Sequence, residues 1–293
     1  MSGMAGRRRH LGRRALLHTG AILASLFFLL PVLVAVFTSL KSDASVFTRS
    51  SLSLPRVAHF GNYLSVITVG GFGRFLENSA IVACCGAGIQ VVVTTMAGYS
   101  LARLPFRGRR AIFWLVLLTL MLPPTLLIVA LFLLIDHVPL AGGNGVLGTG
   151  GTGLLNTYPG LIAPYVISGI GVFLMRQFFI GLPRELEDSG RVDGCSEWKV
   201  FSRLFLPQVR PAVWIVLLFS FQAAWLDLLW PLLVAKTPAL FTVQVGLTVF
   251  QQEYTAEWPL IMASAIISSL PVVVIFLFAQ RRLEQGLVFS GLK

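Results

Sequence analysis

Six stretches of about twenty residues or more run nearly free of charge: about 17–40, 78–103, 111–135, 158–179, 211–235 and 258–280. A helix of that length crosses a hydrocarbon core of about 30 Å, and lipid tolerates only segments whose backbone groups are satisfied internally. The pattern therefore predicts an all-α integral membrane protein with six transmembrane helices. Composition supports it. Of 293 residues, 56% are hydrophobic and 12% charged, with a mean hydropathy of +0.81, too apolar for a soluble domain.

The chain opens on a basic segment, residues 1–16, carrying Arg7, Arg8, Arg9, Arg13 and Arg14. A signal peptide competes for this region, and Arg13-Arg14 is like a twin-arginine pair. The apolar run that follows is too long for a signal core, however, and no small-x-small cleavage site succeeds it. It reads as the first span, with a kink expected at Pro31. The predicted organisation is a basic N-terminus (1–16), a six-helix transmembrane domain (17–280) with a polar loop at 183–210, and a tail (281–293).

Lysine and arginine give the orientation. With the N-terminus inside, the inner segments hold the five arginines above, then Arg103, Arg107, Arg109 and Arg110. The polar loop region adds Arg176, Arg184, Arg191, Lys199, Arg203 and Arg210, and the tail adds Arg281, Arg282 and Lys293. Only Lys41, Arg49, Arg56, Arg74 and Lys236 fall outside. Positive residues favour the cytoplasmic side, so both termini and the polar loop are expected there. Orientation and contact with anionic headgroups also account for the net charge of +11 without a nucleic acid.

The polar loop holds five of the twelve acids: Glu185, Glu187, Asp188, Asp193 and Glu197. Pro183 stands where a helix can begin, and the first three acids suit the positive end of its dipole. Gly190 and Gly194 argue against a long helix, and Asp193-Gly194 reads as a turn with Gly194 at positive φ. A second, amphipathic helix is expected from Ser196 as N-cap to Pro207, with Trp198, Phe201, Leu204 and Phe205 on one face. This loop resembles the EAA loop of ATP-binding-cassette importer permeases of the carbohydrate-uptake subfamily (maltose and glycerol-phosphate type). Pro183, Glu185, Leu186, Arg191, Val192, Asp193, Gly194, Phe201, Leu206 and Pro207 match as they stand, while Asp188, Ser189, Gly190 and Cys195 depart. The exit of the second span, from Tyr99 through Arg103 to Arg109, MLPP at 121–124 and the closing Gln280-Arg281 are also similar to that family.

The resemblance implies a permease subunit for a sugar or related polar solute in a bacterial plasma membrane. Its partners would be a second homologous permease, two ATPase subunits and an extracytoplasmic solute-binding protein. No Gly-Lys dipeptide exists, so no Walker A motif and no ATP site; ATP and magnesium would be bound by the ATPases. The loop would dock the ATPase as a coupling helix through Glu185, Leu186, Val192, Asp193, Gly194, Trp198 and Phe201. No catalytic residue, cofactor or metal site is expected. Cys84, Cys85 and Cys195 suit neither a disulfide nor a zinc framework, and the four histidines lack ligand spacing.

Asp227 is the acid placed within a span, which makes it a functional candidate by default. Together with Trp225 and Trp230 it is a candidate for the translocation path. Leu226 stands where the family carries Asn, so a structural role, pairing with a neighbouring helix, stays open for Asp227. The tryptophans are equally readable as interface anchors. The glycine-rich stretch 142–153 lacks the Lys of a phosphate loop and reads as a flexible connector, an insertion relative to the family. A secondary transporter or channel working without ATPases is the alternative function. Such proteins show internal repeats and several buried ionisable groups, neither of which is evident. A membrane enzyme is a weaker third reading, for want of an acid–base pair.

Overall fold

The structure, a computed structural model, describes residues 2–46, 53–68, 71–254 and 257–290, with backbone alone over 2–16, 279 and 281–290. Every regular element among them is helical. In chain order they are α1 (Ser2–Ser39), α2 (Asp43–Val46), α3 (Gly61–Thr68), α4 (Phe72–Arg103), α5 (Arg109–Met121), α6 (Pro124–Asp136) and α7 (Tyr158–Ile162). Then follow a 3-10 turn (Ala163–Tyr165), α8 (Gly169–Ile180), α9 (Glu185–Val192), α10 (Glu197–Lys199), a π-helical turn (Val200–Phe205), α11 (Leu206–Gln208), α12 (Arg210–Leu226), α13 (Leu229–Val234), a second 3-10 turn (Pro238–Leu240), α14 (Val243–Glu253) and α15 (Trp258–Ser290). Two compact units emerge, Met1–Gly71 with Val249–Ser268, and Phe72–Thr248 with Ser269–Lys293.

In the first unit α1 is continuous through Pro31, and its apolar segment Leu17–Ser39 keeps Phe27 and Phe28 exposed. The chain then folds back on the end of this helix. Asn62 Nδ2 donates to the carbonyls of Ser39 (2.7 Å) and Lys41 (3.0 Å), and the Ser39 and Tyr63 hydroxyls lie 2.7 Å apart.

In the second unit α4 packs along both α8 and α12. Small residues permit the approach: a Cβ on Gly98 would lie 2.6 Å from Met175 Cβ and 2.9 Å from Arg176 N. Close backbone contact of this kind is how helices associate where lipid offers no hydrophobic drive. Beside them α5 lies on α8, with Phe113 and Phe173 stacked at 6.3 Å and the Arg176 guanidinium 3.8 Å above the Phe113 ring.

Among the described residues three helices are long and apolar enough to cross a membrane unaided: Leu17–Ser39, Phe72–Arg103 and Trp258–Phe278. The second begins six residues before the expected 78, and the helix of the third runs on to Ser290. The other three expected spans are broken. Stretch 111–135 is two helices bent by 108° at Leu122-Pro123, because each prolyl ring forces its predecessor into extended backbone (ψ 128° at both). Stretch 158–179 bends by 47° before α8, whose N-cap Ser168 accepts from Gly171 N–H. Stretch 211–235 is interrupted at Asp227-Leu228.

The glycine-rich stretch is not the flexible connector its composition suggests. Leu154 N–H donates to Ile135 O (2.8 Å), Thr152 N–H to Gly142 O (3.0 Å) and Gly145 N–H to Thr149 O (2.9 Å). Buried Asn144 sits at the centre, donating to Asp136 O (2.7 Å) and Val138 O (3.1 Å) while its Oδ1 accepts from Gly151 N–H (2.8 Å). A Cβ at Gly151 would strike the backbone of Gly142–Asn144, and one at Gly153 that of Ile135-Asp136. Glycine serves here for close backbone packing rather than for slack.

Gly98→Ala should destabilise the protein by about 1–3 kcal/mol through overpacking of α4 against α8. Gly88→Ala, on the same helix with nothing within 4 Å of its Cβ, should be neutral or slightly stabilising. Thermal midpoints of the two variants in detergent make the comparison; equal midpoints would contradict the packing described.

Candidate functional site

The polar loop folds as two short helices joined by a glycine turn. Glu185, Glu187 and Asp188 occupy the first turn of α9, which begins two residues after Pro183. The helix closes with paired bonds from Gly194 N–H to Arg191 O (3.1 Å) and Cys195 N–H to Gly190 O (2.9 Å). Gly194 holds φ +71° at the position after the C-cap, where left-handed backbone is needed to make both bonds. Gly190, expected to weaken α9, lies inside it. A Cβ there would be 2.7 Å from Leu204 Cδ1 and 3.2 Å from Val200 Cγ2, so the missing side chain brings the two arms together.

The second arm departs from the single helix expected from Ser196 to Pro207. Ser196 makes no side-chain cap, and after α10 the chain widens into π-helical geometry before Leu206–Gln208. Pro207 does not end the arm; it lies in its last helical turn and cannot donate to Arg203 O four residues earlier. Chain direction turns by 79° at Val209 into α12. Single π turns inside helices frequently mark functional positions.

Under the loop lies an aromatic core. The Tyr99 ring is 4.9 Å from Phe201, 5.4 Å from Phe179 and 5.6 Å from Phe205, with Met175, Val200, Val209 and Ala212 closing the cluster. Buried Arg103 reaches across it from the last turn of α4. Its guanidinium donates to Phe179 O (3.1 and 2.6 Å) and to Leu182 O, lies 4.9 Å over the Phe205 ring, and approaches Glu187 at 3.8 Å. Arg191 then bridges Glu187 (2.7 Å) and Glu197 (2.9 Å), and Tyr99 Oη donates to Glu197 Oε2 at 3.4 Å. Its hydrogen bond to Glu197 and the nearby Glu187 charge raise the Arg191 guanidinium still further above its ordinary range. The exposed Arg191–Glu197 pair is worth little by itself. The Arg103–Glu187 contact is more enclosed, with side chains 6% and 11% accessible, and each partner has further support: Glu187 from Arg191, Arg103 from the Phe179 and Leu182 carbonyls.

This array was not singled out from sequence. Two signals were present: Tyr99 and Arg103 share a helix face four residues apart, and Glu187 precedes Arg191 by the same interval. Of the expected docking residues, Phe201 is buried and Leu186 half-buried, both packed into the core beneath the loop. Glu185, Val192, Asp193, Gly194 and Trp198 are exposed; Val192 is 87% and Trp198 62% accessible, large values for apolar side chains. The amphipathic face expected of the second arm is thereby split, with Trp198 outward and Phe201 and Phe205 inward.

Asp227 sits at the break between α12 and α13. Tyr165 Oη donates to its Oδ2 at 2.7 Å, and Trp230 N–H donates to its Oδ1 at 3.3 Å, capping α13. Trp230 is buried and donates from Nε1 to Gly160 O at 3.1 Å. Trp225 is buried with its ring stacked on Phe221 at 5.4 Å. Asp227 and Trp230 thus meet at one joint between α12, α13 and the segment from Gly160 to Tyr165, while Trp225 packs on its own helix against Phe221; both tryptophan side chains are inside the chain. No group of three or more His, Cys, Asp or Glu side chains suited to a metal ion occurs among the described residues.

Comparison with known proteins agrees with this architecture. The chain is 32% identical over 276 residues to the arabinooligosaccharides transport system permease protein AraQ of Bacillus subtilis, covering 93% of each chain. It is 30% identical over 281 residues to the diacetylchitobiose uptake system permease protein NgcG of Streptomyces coelicolor, covering 94% of this chain and 88% of that one. The fold matches a chain of a bacterial ABC transporter involved in the import of the acidic polysaccharide alginate, with a TM-score of 0.77 at 18% identity over 96% of this chain and 98% of that one. Residues 90–288 match the family described as the binding-protein-dependent transport system inner membrane component, and the chain belongs to that family.

Proposed function

We propose that the chain is a permease subunit of an ATP-driven, binding-protein-dependent importer of a carbohydrate. The carrying observation is the set of relatives aligned over nearly the whole chain, whose names specify arabinooligosaccharides, sulfoquinovosyl glycerol and diacetylchitobiose. Family members are membrane components rather than enzymes, and ATP hydrolysis belongs to a separate subunit. The complete machine would contain a second permease, two ATPases bearing ATP and magnesium, and an extracytoplasmic binding protein.

Each of the three broken stretches, 111–135, 158–179 and 211–235, counts in this reading as one crossing, giving six, with both termini and residues 183–210 in the cytoplasm. At 17 residues, α12 is about 26 Å long and nearly sufficient by itself. The loop 183–210 is the coupling element. Its outward face, with Glu185, Val192, Asp193, Gly194 and Trp198, enters a groove of the ATPase, while Leu186 and Phe201 hold that face from within. Such a helix-in-groove contact takes its energy from a few apolar anchors. Movement of the ATPase reaches α4 through Glu187 and Arg103, and α12 through the bend at Val209. Asp227 serves the permeation path indirectly, by holding the α12–α13 break against the turn after α7 through Tyr165.

Vesicles containing all four membrane-associated subunits and binding protein should accumulate oligosaccharide only with ATP. Accumulation by this chain alone, without ATPases, would support a secondary transporter instead. Val192→Asp and Trp198→Asp should each weaken ATPase retention at least tenfold, since a truncated anchor typically costs about 2 kcal/mol or more. Both side chains are exposed, so membrane insertion should be unaffected; retention unchanged in both variants would refute the docking face. For orientation, single cysteines at Ser189 and Ser196 should label only from the cytoplasm and one at Leu147 only from outside. Reversed labelling would overturn the topology.

A further inference from the structure

Immediately past the first apolar segment, within the first compact unit, lies a cavity of about 220 Å³ whose wall includes Lys41, Arg56, His59, Ser42 and Ser45. Among the described residues no carboxylate belongs to that wall. Lys41 is buried, whereas Arg56 and His59 are exposed at the mouth. Lys41 and Arg56 are two of the few cations assigned to the outer face, so their meeting in one wall runs against the charge depletion of that side. The cavity is below the roughly 300–1,000 Å³ usual for a whole small-molecule ligand, but it suits a single anionic group.

A second, independent feature adjoins it. Leu54, Val57, Phe60, Leu64 and Ile67 recur every three or four residues through the cavity rim and α3, and each is 44–70% exposed. Leu54 and Val57 also belong to the cavity wall. Leu64 and Ile67 are one turn apart on α3, and Leu54, Val57 and Phe60 belong to the irregular segment before it; exposed apolar side chains gathered where a spanning segment ends suit the membrane interface. Asn62, on the side of α3 away from Leu64 and Ile67, is bound to the end of α1, and Tyr63, one turn before Ile67, also reaches Ser39. Leu64 and Ile67 therefore face away from the Asn62 anchorage.

We propose that this cavity binds the phosphate of an anionic membrane phospholipid, with the stripe from Leu54 to Ile67 lying among the adjoining acyl chains. Arg56 and His59 hold the headgroup from the mouth, and Lys41 contributes positive potential from the wall. The inference rests on reading Leu17–Ser39 as a membrane span.

The test is native mass spectrometry of the intact purified complex, titrated with phosphatidylglycerol or with zwitterionic phosphatidylcholine. Arg56→Gln with His59→Gln should lower retained phosphatidylglycerol at least about fivefold, the effect of losing one interfacial cation, and leave phosphatidylcholine unchanged. Both side chains are exposed, so complex yield should match the unsubstituted protein. Equal phosphatidylglycerol retention in the variant would overturn the proposal. So would inorganic phosphate at millimolar concentration displacing the lipid completely, which would assign the site to a free anion. Loss of the second permease on Leu64→Asp, with lipid retention intact, would give the stripe to that subunit and overturn the assignment too. Lipid retention does not depend on which side the loop faces, so failure of the topology would show in the labelling experiment alone.

Discussion

The arrangement depends on one guanidinium. Arg103 ends α4 and donates to two carbonyls, that of Phe179 in the last turn of α8 and that of Leu182 two residues past its end. A cation at that position also meets the negative end of the α8 dipole. Its remaining charge faces Glu187, the buried acid of α9. Three segments distant in sequence are thus tied at one point beneath the polar loop. Without it Glu187 would keep only the bridge to half-exposed Arg191, and the aromatic core around Tyr99 would lose the cation resting on Phe205.

Two kinds of rigidity follow from that tie. The loop's inner face is fixed by packing and charge, so its outer face can present Val192 and Trp198 without collapsing them onto the chain. At the far end of α12 the same logic recurs on a smaller scale. Asp227 accepts from Tyr165 and caps α13, and Trp230 reaches Gly160, so the broken helix is stiffened across its break. A broken helix held this way can transmit a rigid-body displacement from the loop, which is what alternating access requires of a permease.

Much of this was legible in the residues. Helical segments fell where the apolar runs lie, the Asp193-Gly194 turn adopted the positive φ its glycine allows, and Glu185, Glu187 and Asp188 took the first turn of α9. Breaks were harder to see. Hydropathy is blind to direction, so Pro123-Pro124 read as part of one span although consecutive prolyl constraints turn it by 108°. The glycine-rich loop misled for a related reason, since composition cannot distinguish glycines that loosen a chain from glycines packed backbone to backbone around Asn144. Arg103 entered as a positive charge and as part of the family-like exit of the second span; its carbonyl partners, Phe179 and Leu182, are far away in sequence, and no local pattern encodes them.

The central claim is that Arg103 and Glu187 act as one unit coupling the loop to α4. A double-mutant cycle on the ratio of solute imported to ATP hydrolysed, using Arg103→Gln, Glu187→Gln and both together in the reconstituted complex, measures this directly. Each single variant should lower the ratio at least tenfold, and the double variant should be no worse than the worse single one, because partners in one network are not additive. Losses that multiply in the double variant, or a ratio unchanged by either substitution, would contradict the account.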